Sequence, residues 1–144
     1  MVSRLAEEVK EFNSNGKGNA LMQLYIASTN TNPEQLLVLV IVTNLIKHCH
    51  ALQQAGKLVY IDSIAGLNIF NTPMTILSTS TSISSLSLAI ILTSDKMTNT
   101  FTKALDMLTY VMPISVFNEH EPVIRSKIFM TDNCKVKRTA LHNI

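Results

Sequence analysis

The chain has 144 residues, one domain's worth or part of one, and its 47% hydrophobic and 15% charged content favours a packed core over disorder. Its 12 basic and 10 acidic residues leave a formal charge of +2, too small to announce nucleic-acid binding through long-range electrostatics. Cys49 and Cys134, far apart and without CxxC spacing, argue against a disulfide framework or a zinc site and read as reduced thiols of an intracellular protein.

The opening MVSRLAEEVKEF is charged and amphipathic, without the apolar h-region of a signal peptide. Residues 3–12 predict a helix capped by Ser3, with Leu5, Val9 and Phe12 on one face. NSNGKGN at 13–19 breaks it, ALMQLYIAS at 20–28 reads as a strand, and TNTNPEQ at 29–35 as a turn. LLVLVIVT follows at 36–43 as a buried, β-branched strand. Its apolar run of seven residues falls well short of the ~20 that span a membrane. NLIKHCHALQQAG, 44–56, predicts a helix capped by Asn44 and closed by Gly56, with Leu45, His48, Cys49 and Leu52 on one face. His48 and His50, two positions apart, point to different helix faces and lack a completing ligand set, so they read as structural or surface residues.

Three short strands come next, KLVYID at 57–62, IFNTPMTILSTS at 69–80 and SLSLAIILTS at 85–94, joined as antiparallel hairpins. From residue 95 to 112 the period becomes helical, with Ser94 or Asp95 as cap, Phe101, Ala104, Leu105, Leu108 and Met112 on one face, and Pro113 as stop. KIFMTD at 127–132 is a further strand, and CKVKRTALHNI a helix with Val136, Ala140 and Leu141 inward and Lys135, Lys137 and Arg138 outward. Two of these strands, 57–62 and 127–132, finish on a carboxylate, Asp62 and Asp132, although each is otherwise built for a hydrophobic interior.

The β-β-β-α-β-α order of 57–144 predicts an α/β fold, a partial ribonuclease-H-like domain, with 1–56 as an α/β lead-in. A right-handed crossover through the helix sets the fourth strand parallel to the first, bringing Asp62 and Asp132 to one carboxyl edge of the sheet. Paired carboxylates there suit two-metal phosphoryl transfer, which holds two Mg²⁺ ions about 3.5–4 Å apart. An Asp after a strand serves equally as a turn former, and Asp132 equally as a cap for the last helix. No GxSxG, HExxH, P-loop or GxGxxG occurs, and Cys134 has no base assigned to it as a nucleophile.

The segment KLVYIDSIAGLN, with LAIILTSDK, KIFMTDN and KRTALHNI after it, resembles the catalytic domain of Mutator-like element (MULE) transposases. There a YIDST word carries the first acid of the DDE triad, a TSDE segment follows the third strand, and an MTDD strand carries the second acid. The match sets Asp62 and Asp132, 70 positions apart, as those two acids. It implies metal-dependent DNA cleavage and strand transfer, Mg²⁺ or Mn²⁺ at Asp62 and Asp132, DNA as partner, and a nuclear location. It implies neither a membrane nor a small-molecule substrate.

The chain departs from the family in FNEHEPVIRSK, which lacks the usual glycines, and in Asn133 after the second acid. The family's third acid, a Glu, lies beyond the segment matched here. The expectation is therefore a truncated domain, inactive alone, with weak metal binding and an exposed sheet edge open to self-association. The alternative is a domesticated or decayed non-enzymatic domain binding protein or DNA, in which Lys135, Lys137 and Arg138 touch phosphates or are ordinary solvated charge.

Overall fold

The computed structural model describes residues 2–30, 34, 36–64, 72–112 and 128–142. Ten elements follow in chain order: α1 (Val2–Ser14), β1 (Gly18–Gln23), β2 (Val38–Thr43), α2 (Asn44–His50), β3 (Leu58–Ile64), β4 (Met74–Ser80), β5 (Ser85–Thr93), α3 (Thr98–Val111), β6 (Ile128–Thr131) and α4 (Lys135–His142). The fold is mixed α/β, with one six-stranded sheet in the order β1-β2-β5-β4-β3-β6. Every neighbouring pair is antiparallel except β3 and β6, which run parallel.

The predicted meander of three strands is present as β3, β4 and β5, with a register shift between Leu77 and Ser78. β1 and β2 join the same sheet on the far side of β5, so the sheet is continuous across residues 56 and 57. Alternation explains the core. Val38, Val40 and Val42 share one face of β2, Val40 lies opposite Ile91 of β5, and Ile61 of β3 lies opposite Leu77 of β4. All six are buried. α3 packs across β1, β2 and β5 and against α4, and inserts Phe101, Ala104, Leu105 and Leu108, the face its sequence period predicts.

The helices differ from expectation in detail, and Ser3, expected as a cap, lies inside α1. α2 ends at His50 instead of running to Gly56, and its cap is Thr43, whose side chain accepts the N–H of Ile46 at 3.2 Å. That phase buries Ile46, Cys49 and His50, while Leu45 is 75% exposed and His48 and Leu52 also face water. In α4, Lys137, expected outward, is only 4% exposed. α3 begins after Met97 with no side-chain cap, and Asp95 instead accepts the N–H of Met97 at 3.0 Å in the preceding turn. Pro113 and residues 114–127 lie outside the described residues, as does the segment 65–71. No described helix is long and apolar enough to cross a membrane.

Candidate metal centre

The carboxyl edge of β3 and β6 is built by parallel pairing. Leu58, Val59, Tyr60 and Ile61 lie opposite Ile128, Phe129, Met130 and Thr131 in unbroken register. The next residue on each chain is an acid, so Asp62 and Asp132 stand at the same end of neighbouring strands. Asp62 remains within β3, exposed, opposite Ile76 of β4, and its Oδ1 accepts the N–H of Ser63 at 2.8 Å. Asp132 leaves β6 for the turn into α4, where its carbonyl accepts the N–H of Cys134 at 2.6 Å.

The two acids part at the side chain. A cavity of about 190 Å³ opens at this edge, lined by Ser63, Thr75, Thr93, Asp95, Asp132 and Lys137 among others. Strand alternation sends Ser63 toward it and Asp62 to the opposite face, so Asp62 is not part of its lining. Its floor is hydroxylic: the Ser63 and Thr75 hydroxyls are 2.7 Å apart, and Thr93 donates to the carbonyl of Asp95 at 2.6 Å. The second carboxylate lining this cavity is thus Asp95, at the exit of β5.

Asp132 has a partner. The Lys137 ammonium donates to its Oδ1 at 2.9 Å, with the lysine side chain 5% exposed and the aspartate 59% exposed. The charge is held because α4 turns its apolar stripe inward. Lys137 stands three and four positions before Ala140 and Leu141, on the same side of the helix as both. Of the three cations expected to face solvent, Lys135 and Arg138 do so and Lys137 does not. His48 is exposed, with Nδ1 2.7 Å from the Asn44 carbonyl oxygen, and buried His50 has Nε2 2.8 Å from that of Leu88. Neither histidine approaches the cavity lining.

As they stand, these residues do not fit a divalent ion. One carboxylate carries an ammonium, the other sits outside the cavity, and no group of three His, Cys, Asp or Glu able to hold a metal forms among the described residues. Two signals in the sequence pointed to the missed residues. The TSDK word already marked Asp95, and the spacing of Lys137 to Ala140 and Leu141 placed it on the inner stripe of α4. Comparison with protein-family models, with curated proteins and with solved structures finds no match for the chain.

Proposed function

We propose that the chain is part of a MULE-type DDE transposase catalytic domain, a partial ribonuclease-H-like fold, and that by itself it does not cut or join DNA. One observation carries this reading: the parallel register of β3 with β6 that brings Asp62 and Asp132 to one sheet end. The strand order β5-β4-β3-β6 with α3 between β5 and β6 supports the finer fold assignment, since it is the order expected of a ribonuclease-H-like sheet. The site's present state supports the inactivity. Strand cleavage requires the phosphate to be held and its charge stabilised, and misplacing such groups costs several powers of ten in rate. Asp132 is already paired to Lys137, and any binding of Mg²⁺ or Mn²⁺ at Asp62 and Asp132 is weak.

DNA and a nuclear setting come with the family reading, and Lys135 and Arg138 are the exposed cations of α4 that offer phosphate contacts. The ion pair at Asp132 also favours the second reading, a non-enzymatic binding domain descended from such a transposase. The test is incubation of the purified chain with duplex DNA in Mg²⁺ or Mn²⁺, with binding followed by fluorescence anisotropy at low salt. The expected result is weak, salt-sensitive binding, reduced in the Lys135→Ala/Arg138→Ala variant, with no nicking. Metal-dependent nicking abolished in both Asp62→Asn and Asp132→Asn would show an active enzyme instead. Absence of binding at low salt would remove DNA as the partner.

A further inference from the structure

We infer that the Lys137 ammonium holds the position at Asp132 that a divalent cation would take, so that Lys137 and a metal ion exclude one another there. The inference rests on the reading above in treating Asp132 as a cation-facing acid, and it names what prevents that acid from acting as one. The Lys137 side chain is only 5% exposed, and its Nζ lies 2.9 Å from Asp132 Oδ1. Swinging into water would take this side chain out of its buried setting on a helix held by buried Ala140 and by its packing on α3. A divalent ion on the same carboxylate would face the Lys137 ammonium at close range, and the two like charges repel.

The described lining offers no compensation. Among the described residues its acids are Asp95 and Asp132 and its bases Lys96 and Lys137, so these carry no surplus negative charge to draw a divalent ion. The neighbouring hydroxyls of Ser63 and Thr75 are uncharged and hydrogen-bond to each other at 2.7 Å. The site is therefore a carboxylate with its counter-cation supplied by the chain.

Lys137→Met keeps the length of the side chain and removes its charge. Asp132 is 59% exposed and is solvated once the lysine has gone, so the variant strands no buried charge. Mn²⁺ binding to the full chain, followed by the electron paramagnetic resonance signal of free Mn²⁺, is expected to tighten by about tenfold or more in Lys137→Met, as loss of a like charge at contact distance requires. Unchanged or weaker binding in the folded variant overturns the inference, whatever the nicking assay gives. Adding Asp62→Asn separates the two readings. If the gain survives, Lys137 blocks Asp132 but Asp62 is no partner in the site. If it is lost, both acids serve one ion. Amine acylation of the wild-type chain, mapped by mass spectrometry, is a second measurement that needs no variant. Lys137 is expected to label at least about tenfold more slowly than exposed Lys135, because reaction requires local opening. Equal labelling rates overturn the inference.

Discussion

At the scale of single residues, burial turns ordinary side chains into conditional ones. His50 sits wholly out of water at the end of α2. Its Nε2 carries the proton, since its neighbour at 2.8 Å, the Leu88 carbonyl, can only accept. Burial disfavours the imidazolium and pushes the pKa below its ordinary 6.5, and the bond to Leu88 offsets part of that. The unfolded chain thus takes up a proton near pH 6.5 that the folded chain refuses. Stability is complete above that pH and falls as pH drops from 6.5 toward the lower folded value. The thermal midpoint of the wild-type chain is expected to decline between about pH 7 and 5, above the range in which carboxylates titrate. His50→Gln keeps an N–H donor without a titrating ring, and its midpoint should be nearly flat over that interval. A decline of equal size in the variant would show that His50 is not the group responsible. Lys137 is conditional in the same sense, since its charge is tolerated inside only because Asp132 reaches it.

At the scale of elements, legibility followed the length of the periodic pattern. α3 has 14 residues, and four of the five apolar positions named for its face, all but the C-cap Met112, are buried. α2 has seven residues, too few for its period to fix a phase, and a cap at Thr43 instead of Asn44 rotated its buried set to Ile46, Cys49 and His50. In α4 a charge at position 137 outweighed the stripe to which the position belongs, since long charged side chains are rarely buried. The strand pairing behind the candidate site was legible, because an acid ending an apolar strand twice over is visible in sequence. The side on which Asp62 emerges was not, because one step along a strand reverses the face. The approach of β1 to β2 shows a further feature that pattern does not reveal. A Cβ at Gly18 would meet the Val42 carbonyl oxygen and lie 2.6 Å from Thr43 Cα and 3.0 Å from Phe12 Cζ of α1. Two of these are backbone atoms and cannot yield as a side chain would. Gly18→Ala is therefore expected to cost about 1–3 kcal/mol in urea unfolding, the usual range for overpacking. A loss within error would mean that β1 parts from β2 freely.

At the scale of the whole molecule, the division of the sequence into a lead-in at 1–56 and a catalytic-like part at 57–144 meets a sheet that takes strands from both. β2 pairs with β1 on one side and with β5 on the other. It contributes Val38, Val40 and Val42, each with no exposed surface, to the core under α3. Burying a valine gains roughly 1.5–3 kcal/mol, an upper figure because unfolded chains are already partly compact. Three such residues then approach the whole stability of a typical domain, about 5–15 kcal/mol. Removing 1–56 would also leave β5 an edge strand whose ladder toward β2 is unpaired, with Ile90, Ile91 and Leu92 along it. The fragment 57–144 expressed alone is accordingly expected to aggregate, or to unfold without a cooperative transition, while the full chain melts as a unit. Circular dichroism melts and sedimentation of both proteins check this. A soluble fragment melting cooperatively near the full chain's midpoint would show that β3, β4, β5 and β6 with α3 and α4 form an independent unit. The acids at the end of β3 and β6 would then owe their alignment to that unit alone.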